Sequence, residues 1–267
     1  MTYALSIHWA RLWPQSSAVE VPTYLYALVD KGQLQPCPAS LSRWISDAAH
    51  TRLFEGSFAE AALELSPVLM LLSSENEIAL SEIQTLDKHC SALPIVSIIE
   101  SILPLPDLTR HLQTLLRIEA DGAQYLLRFA DTQMLEAVLS SFTSEQSATF
   151  FAGIAHWWIV DHERRCIDVA PKERSSDLAS LPLILSAEQT RKLLAAAELP
   201  IAASQMRAYD ASFGRLSHAE RMGFLRECRD LLSPDEAMTE TALLSLAIRR
   251  WQEDSRVQGE TQTHDSL

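Results

Sequence analysis

The dipeptide Asp121-Gly122 stands between two short apolar runs and constrains the chain more than any other pair of residues. Both positions of a two-residue hairpin turn need φ > 0, which Asp tolerates and Gly adopts freely, so a tight reversal is predicted there. It joins a strand over Leu115–Glu119 to a second over Gln124–Phe129. Asp131 then stands at an N-cap position, where its carboxylate can accept from the first free N–H groups of an amphipathic helix. Helix end, hairpin and new helix follow one another from His111 to Leu139.

Strands and helices alternate on both sides of this stretch. Residues 1–22 have little periodicity and read as a loosely packed arm. Thr23–Val29 is rich in aromatic and β-branched residues and predicts the first strand, stopped at Asp30-Lys31-Gly32. A Glu55-Gly56 turn precedes a short helix over Phe58–Leu65. Pro67–Leu72 and Pro94–Glu100 are unbroken apolar runs, the pattern of strands buried on both faces. Between them, Ser74 with Glu77 predicts a capping box opening a helix to about Cys90. Pro104 to Asp107 start the helix Leu108–Leu116, and Thr143 with Gln146 make a second capping box. Ile154–Val160 is a further strand, with Arg165–Ala170 as its partner. The pattern predicts an α/β domain with an α+β tendency over 23–170, a mixed β-sheet with flanking helices.

The composition then changes. Residues 171–185 form a polar connector containing Ser and Pro, and from Ser186 onward no strand pattern appears. Ser186/Gln189, Ser217/Glu220 and Ser233/Glu236 each have capping-box spacing, the last with Pro234 at the first helical position. Met222, Leu225, Cys228 and Leu232 fall on one helix face, as do Leu243, Leu246, Ala247 and Trp251 on another. An all-helical C-terminal lobe over 186–252 is predicted, followed by an acidic tail over 253–267, expected to be disordered for want of large apolar residues.

The formal net charge of -13 argues against a nucleic-acid partner, because phosphate binding rests on Lys and Arg. The longest apolar run, Ala92–Pro106, is interrupted by Glu100 and bounded by prolines, so no membrane partner is expected. The first residues lack a basic start, a long apolar middle and a small-residue cleavage site. Cys37, Cys90, Cys166 and Cys228 are far apart, which fits packing thiols in a reduced, cytoplasmic protein.

No phosphate-cradling G-x-G-x-x-G or G-x-x-x-x-G-K-[ST] loop is present, nor a G-x-S-x-G nucleophile elbow. His156 and His162 flank a strand beside Asp161, but along an extended chain they stand about 20 Å apart, too far for one metal ion. Surface histidines at strand ends are the better reading, and no cofactor or metal is expected. Arg128 and Asp131 form the most interesting charged pair, either an anion clamp with a general base or a structural clasp of strand to helix. The clasp is the preferred reading. Trp157 and Trp158 alternate faces, so one belongs to the core and the other lies under a helix or at an interface.

Several blocks, in order, resemble the bacterial adaptor family called domain of unknown function 4123. Leu25-Tyr26-Ala27-Leu28-Val29-Asp30 is similar to its opening strand, and Leu53-Phe54-Glu55-Gly56 to its turn. His111-Leu112, Gly122 and Leu127-Arg128-Phe129-Ala130-Asp131 resemble its central motif, and the segment from Phe150 to Trp157 its closing stretch. The resemblance covers about residues 23–160 and marks Asp30, Gly56, His111, Gly122, Arg128, Phe129, Asp131 and Trp157 as structural motif residues. It implies a cytoplasmic, non-catalytic chaperone, monomeric when free. Such adaptors bind a secreted toxic effector of a type VI secretion system and help load it onto the VgrG spike protein. The alternative is a small-molecule hydrolase or transferase using Arg128, Asp131 and His111 in a cleft between the lobes. A self-associating scaffold is a third expectation.

Overall fold

The computed structural model describes residues 23–33, 39–90, 95–160, 165–171, 178, 182–233 and 241–264. Two compact units divide the chain, one through Leu193 and one from Leu194. The first is built on a six-stranded sheet. Its strands are β1 (Tyr24–Val29), β2 (His50–Arg52), β3 (Val68–Leu71), β4 (Val96–Ser101), β7 (Ile154–Val160) and β8 (Cys166–Asp168), in the order β2-β3-β1-β4-β7-β8. Every described pair in this sheet is antiparallel.

Both faces of the sheet are covered, and the period-two alternation of side chains sorts its residues between two cores. Leu25, Ala27, Val29, Val68, Met70, Val96, Ile98 and Trp158 face one side. There they meet Leu41 and Ile45 of helix α1 (Ala39–Asp47) and Ala79, Ile83 and Leu86 of α2 (Asn76–Cys90). Tyr26, Leu28, Leu69, Ile99, Trp157 and Ile159 face the other. They pack on Leu108, Leu112 and Leu115 of α3 (Leu105–Leu115), on Leu135 and Val138 of α4 (Thr132–Ser141), and on Phe150 at the end of α5 (Ser144–Phe150). This two-sided burial is why the strands at 67–72 and 94–100 read as continuous apolar runs. Trp157 and Trp158 are both buried, on opposite faces.

The Asp121-Gly122 hairpin forms a second, smaller sheet. It pairs β5 (Arg117–Ala120) with β6 (Ala123–Leu126), and φ is positive at both turn residues, 51° and 75°. The second strand ends at Leu126, three residues short of the expectation, because the chain bends at Leu127 toward the cap of α4. The stretch expected as a connector over 171–185 instead ends in a strand, β9 (Leu183–Ile184), which runs parallel to β5. Leu183 and Leu185 are drawn into the core of the first unit, and burial of these two leucines accounts for the local order. The short helix expected over Phe58–Leu65 is a 3-10 helix over Glu60–Leu65; its side chains are mostly exposed, and Ala62 departs from helical φ/ψ.

Most of the predicted caps are present. Thr143/Gln146, Ser186/Gln189 and Ser217/Glu220 each make reciprocal side-chain to backbone bonds. At α2 the spacing predicts Ser74 with Glu77, but the N–H of Glu75 donates to Ser73 Oγ and the Ser73 N–H to Glu82. The Ser233/Glu236 box, the N-terminal arm, His162 and Cys37 lie outside the described residues.

Helix α6 (Ala187–Tyr209) contains the division between the units. The second unit continues with α7 (His218–Asp230) and α8 (Ala242–His264). Its core joins Met206, Phe213, Met222, Leu225, Cys228, Leu243 and Ala247, with Trp251 packed beside them. Helix α8 takes in the stretch expected as a tail as far as His264. Trp157, wholly buried, is the largest side chain between the sheet and α4–α5. The expected cost of Trp157→Ala is about 3–5 kcal/mol, read as a lower urea midpoint with an unchanged slope.

Candidate functional site

The charged motif residues meet where β1 ends. Asp30 follows the last residue of β1; its N–H donates to the Ile95 carbonyl at 2.8 Å and its Oδ2 accepts from Gln33 Nε2. At the base of the hairpin the Leu127 N–H donates to the Leu116 carbonyl, and the chain then turns through Arg128 into α4. Asp131 caps that helix, its Oδ1 accepting from the Gln133 N–H at 3.1 Å. Arg128 Nη2 lies 3.2 Å from Asp131 Oδ2 and 3.8 Å from Asp30 Oδ2. One guanidinium therefore serves two carboxylates from elements about a hundred residues apart in sequence.

Burial is unequal across the three groups. The side chains of Asp131 and Asp30 are 1% and 9% exposed, and that of Arg128 is 43% exposed. Removal from water raises the pKa of both acids, and the Arg128 charge only partly opposes it. Asp131 is pushed up to about 6, with the Asp30 charge adding to the effect of burial. Both oxygens of Asp131 are engaged, one by Arg128 and one by the helix backbone. A general base needs a lone pair that a substrate can reach, and the Asp131 side chain is almost wholly buried.

His111 has a different partner. It is buried on α3, and its Nε2 lies 3.0 Å from the Phe150 carbonyl, which can only accept, so Nε2 carries the proton. Burial holds its pKa below the ordinary histidine value, and the bond to Phe150 partly opposes this. Phe129 and Trp157 stand in the same aromatic cluster. Phe150 stacks on Trp157 at 5.5 Å, and Phe129 meets both edge-on at 5.8 and 6.1 Å. Gly56 and Gly122 supply turns with φ of 67° and 75°. The Gly56 turn is tied to α3 by a bond from Gln113 Nε2 to the Glu55 carbonyl.

The structure thus gathers Asp30, Arg128 and Asp131 into one clasp, and His111, Phe129 and Trp157 around Phe150. Of the three residues of the catalytic alternative, Arg128 and Asp131 are bonded to each other, and His111 is bonded instead to the Phe150 carbonyl. The link between Asp30 and Arg128 left no local trace in the sequence; only their shared motif membership pointed to it. The partner of His156 was also missed: its Nδ1 bonds Asp168 Oδ2 at 2.5 Å and its ring stacks on Trp158. Among the described residues no group of three or more His, Cys, Asp or Glu is placed to hold a metal ion.

Residues 25–149 match the family model described as Domain of unknown function (DUF4123). No curated protein and no solved structure matches the chain.

The clasp has a testable pH signature. A carboxyl whose folded pKa is raised contributes stability that is fully present below its unfolded value of 3.8 and is lost as pH rises through about 6. Asn keeps an N-cap acceptor but does not titrate. In Asp131→Asn, urea unfolding between about pH 4 and 7 is expected to show a flatter decline than wild type, with a residual slope from Asp30. Arg128→Ala leaves two buried acids without their counter-charge. A loss of about 2–4 kcal/mol at neutral pH is expected, the half-exposed arginine keeping it below the cost of breaking a fully buried pair.

Proposed function

From the match of residues 25–149 to the DUF4123 family model, we propose that the chain is a protein-binding adaptor. In this reading it is a cytoplasmic chaperone that holds a toxic effector of a type VI secretion system and promotes its loading onto the VgrG spike protein. The observation that carries the reading is the outer strand β6. It stands at one end of the smaller sheet, and all four of its side chains face solvent. Tyr125 and Leu126 are 42% and 38% exposed, and Ile184 at the opposite edge is 71% exposed. An edge strand with apolar side chains can accept an extended segment of another protein, the backbone supplying affinity and the side chains selectivity. The inward engagement of Asp30, Arg128, Asp131 and His111 supports a scaffold role for the family motif. The net charge of -13 favours a basic segment in the partner.

The test is co-purification at physiological salt with the proteins encoded beside this one. Retention of a spike protein or a toxin is expected, and recovery of neither would overturn the reading. Tyr125→Asp combined with Leu126→Asp should lower retention about tenfold while leaving the urea midpoint unchanged, since both side chains are exposed in the free protein.

A further inference from the structure

Within this acidic chain, cationic side chains crowd one turn of the helical unit. The turn is Phe213–Arg215, between α6 and α7. The stem of Arg207, on α6, runs alongside it, with Cγ 3.8 Å from where a Cβ on Gly214 would stand. Arg221, on α7, points back at the same turn: its Nη1 donates to the carbonyls of Gly214 at 3.2 Å and Leu216 at 2.6 Å. The two guanidinium-bearing side chains thus converge on one glycine. Arg215 stands in the turn itself, and His218 lies close enough to Arg221 and Arg226 to sense both charges.

Arg221 is only 5% exposed. Burying a guanidinium is costly unless a counter-charge accompanies it. Burial and the neighbouring Arg207 both depress its pKa, and Glu220 opposes them. Yet none of Arg207, Arg215, Arg221 and Arg226 forms an ion pair among the described residues, although Arg229 pairs with Asp230 and Arg250 with Glu227 in the same unit. The nearby acids are held by other donors. Glu220 accepts from the Ser217 N–H at 2.7 Å, and Asp210 accepts from Ser212 and from Trp251 Nε1. Both hydrogen bonds of Arg221 leave from Nη1, so Nε and Nη2 make none among the described residues.

We propose that Arg207 and Arg221, at the turn 213–216, form an oxyanion site that takes the carboxylate of an acidic side chain on a partner protein. A planar carboxylate matches the fork of a guanidinium and supplies the missing counter-charge. His218 is pushed down to about 4 and is neutral at pH 7, so the site does not gain the further charge that a phosphate dianion would call for. The inference is independent of the adaptor role, which rests on β6.

The probe is fluorescein-labelled hexaglutamate, titrated into the full chain at physiological salt and followed by anisotropy. The arginine Nε–H signals are followed in parallel by NMR. The peptide should bind and shift the signals of Arg207 and Arg221. Arg207→Gln should weaken binding about tenfold or more, Arg207→Lys should recover part of the loss, and Arg229→Gln should leave it unchanged. Arg207 is half-buried and makes no ion pair among the described residues, so its variant keeps the test informative even where Arg221→Gln fails to fold. Absence of binding, or equal binding by wild type and Arg207→Gln, overturns the proposal. Inorganic phosphate moving the two signals at lower concentration than the peptide overturns the carboxylate assignment.

Discussion

A single half-exposed guanidinium balances two carboxylates that burial would otherwise make intolerable as charges. Arg128 lies between Asp30, at the end of β1, and Asp131, at the start of α4. Without it, two acids that are nearly out of water would repel each other across the junction of sheet and helix. With it, the central strand, the hairpin base and the following helix are locked at one point. The aromatic cluster of Phe129, Phe150 and Trp157 begins one residue further along and depends on the same register. Polar and apolar ordering therefore support each other over a few residues.

The local parts of this arrangement were legible in the sequence. Asp121-Gly122 turns where its dihedral preferences say it must, and three capping boxes form as their spacing predicts. Asp131 caps α4, and the helix faces carrying Met222, Leu225 and Cys228 are buried. Each of these depends on neighbours within a few residues, which is the range that propensity and periodicity report.

Other features depend on distance. A strand buried on both faces looks the same whether its neighbours run parallel or antiparallel, so apolar runs at 67–72 and 94–100 do not reveal an antiparallel sheet. The pairing of Asp30 with Arg128 spans 98 positions and has no signature in either neighbourhood. Leu183–Ile184 becomes a strand only because β5 offers it an edge. In each case tertiary contact decided what composition alone left open.

The order of strands has a consequence for the order of synthesis. β4 is buried at all six positions and pairs with β1 on one side and β7 on the other. The chain between β4 and β7 must be made before the second pairing can close. During translation, then, a strand destined for complete burial stands with one edge open while more than fifty residues emerge after it. The family match ends at residue 149, five positions before β7 begins. A fragment cut at that boundary would keep the clasp and hairpin and yet hold β4 permanently in this half-finished state, exposed to pairing with its own kind.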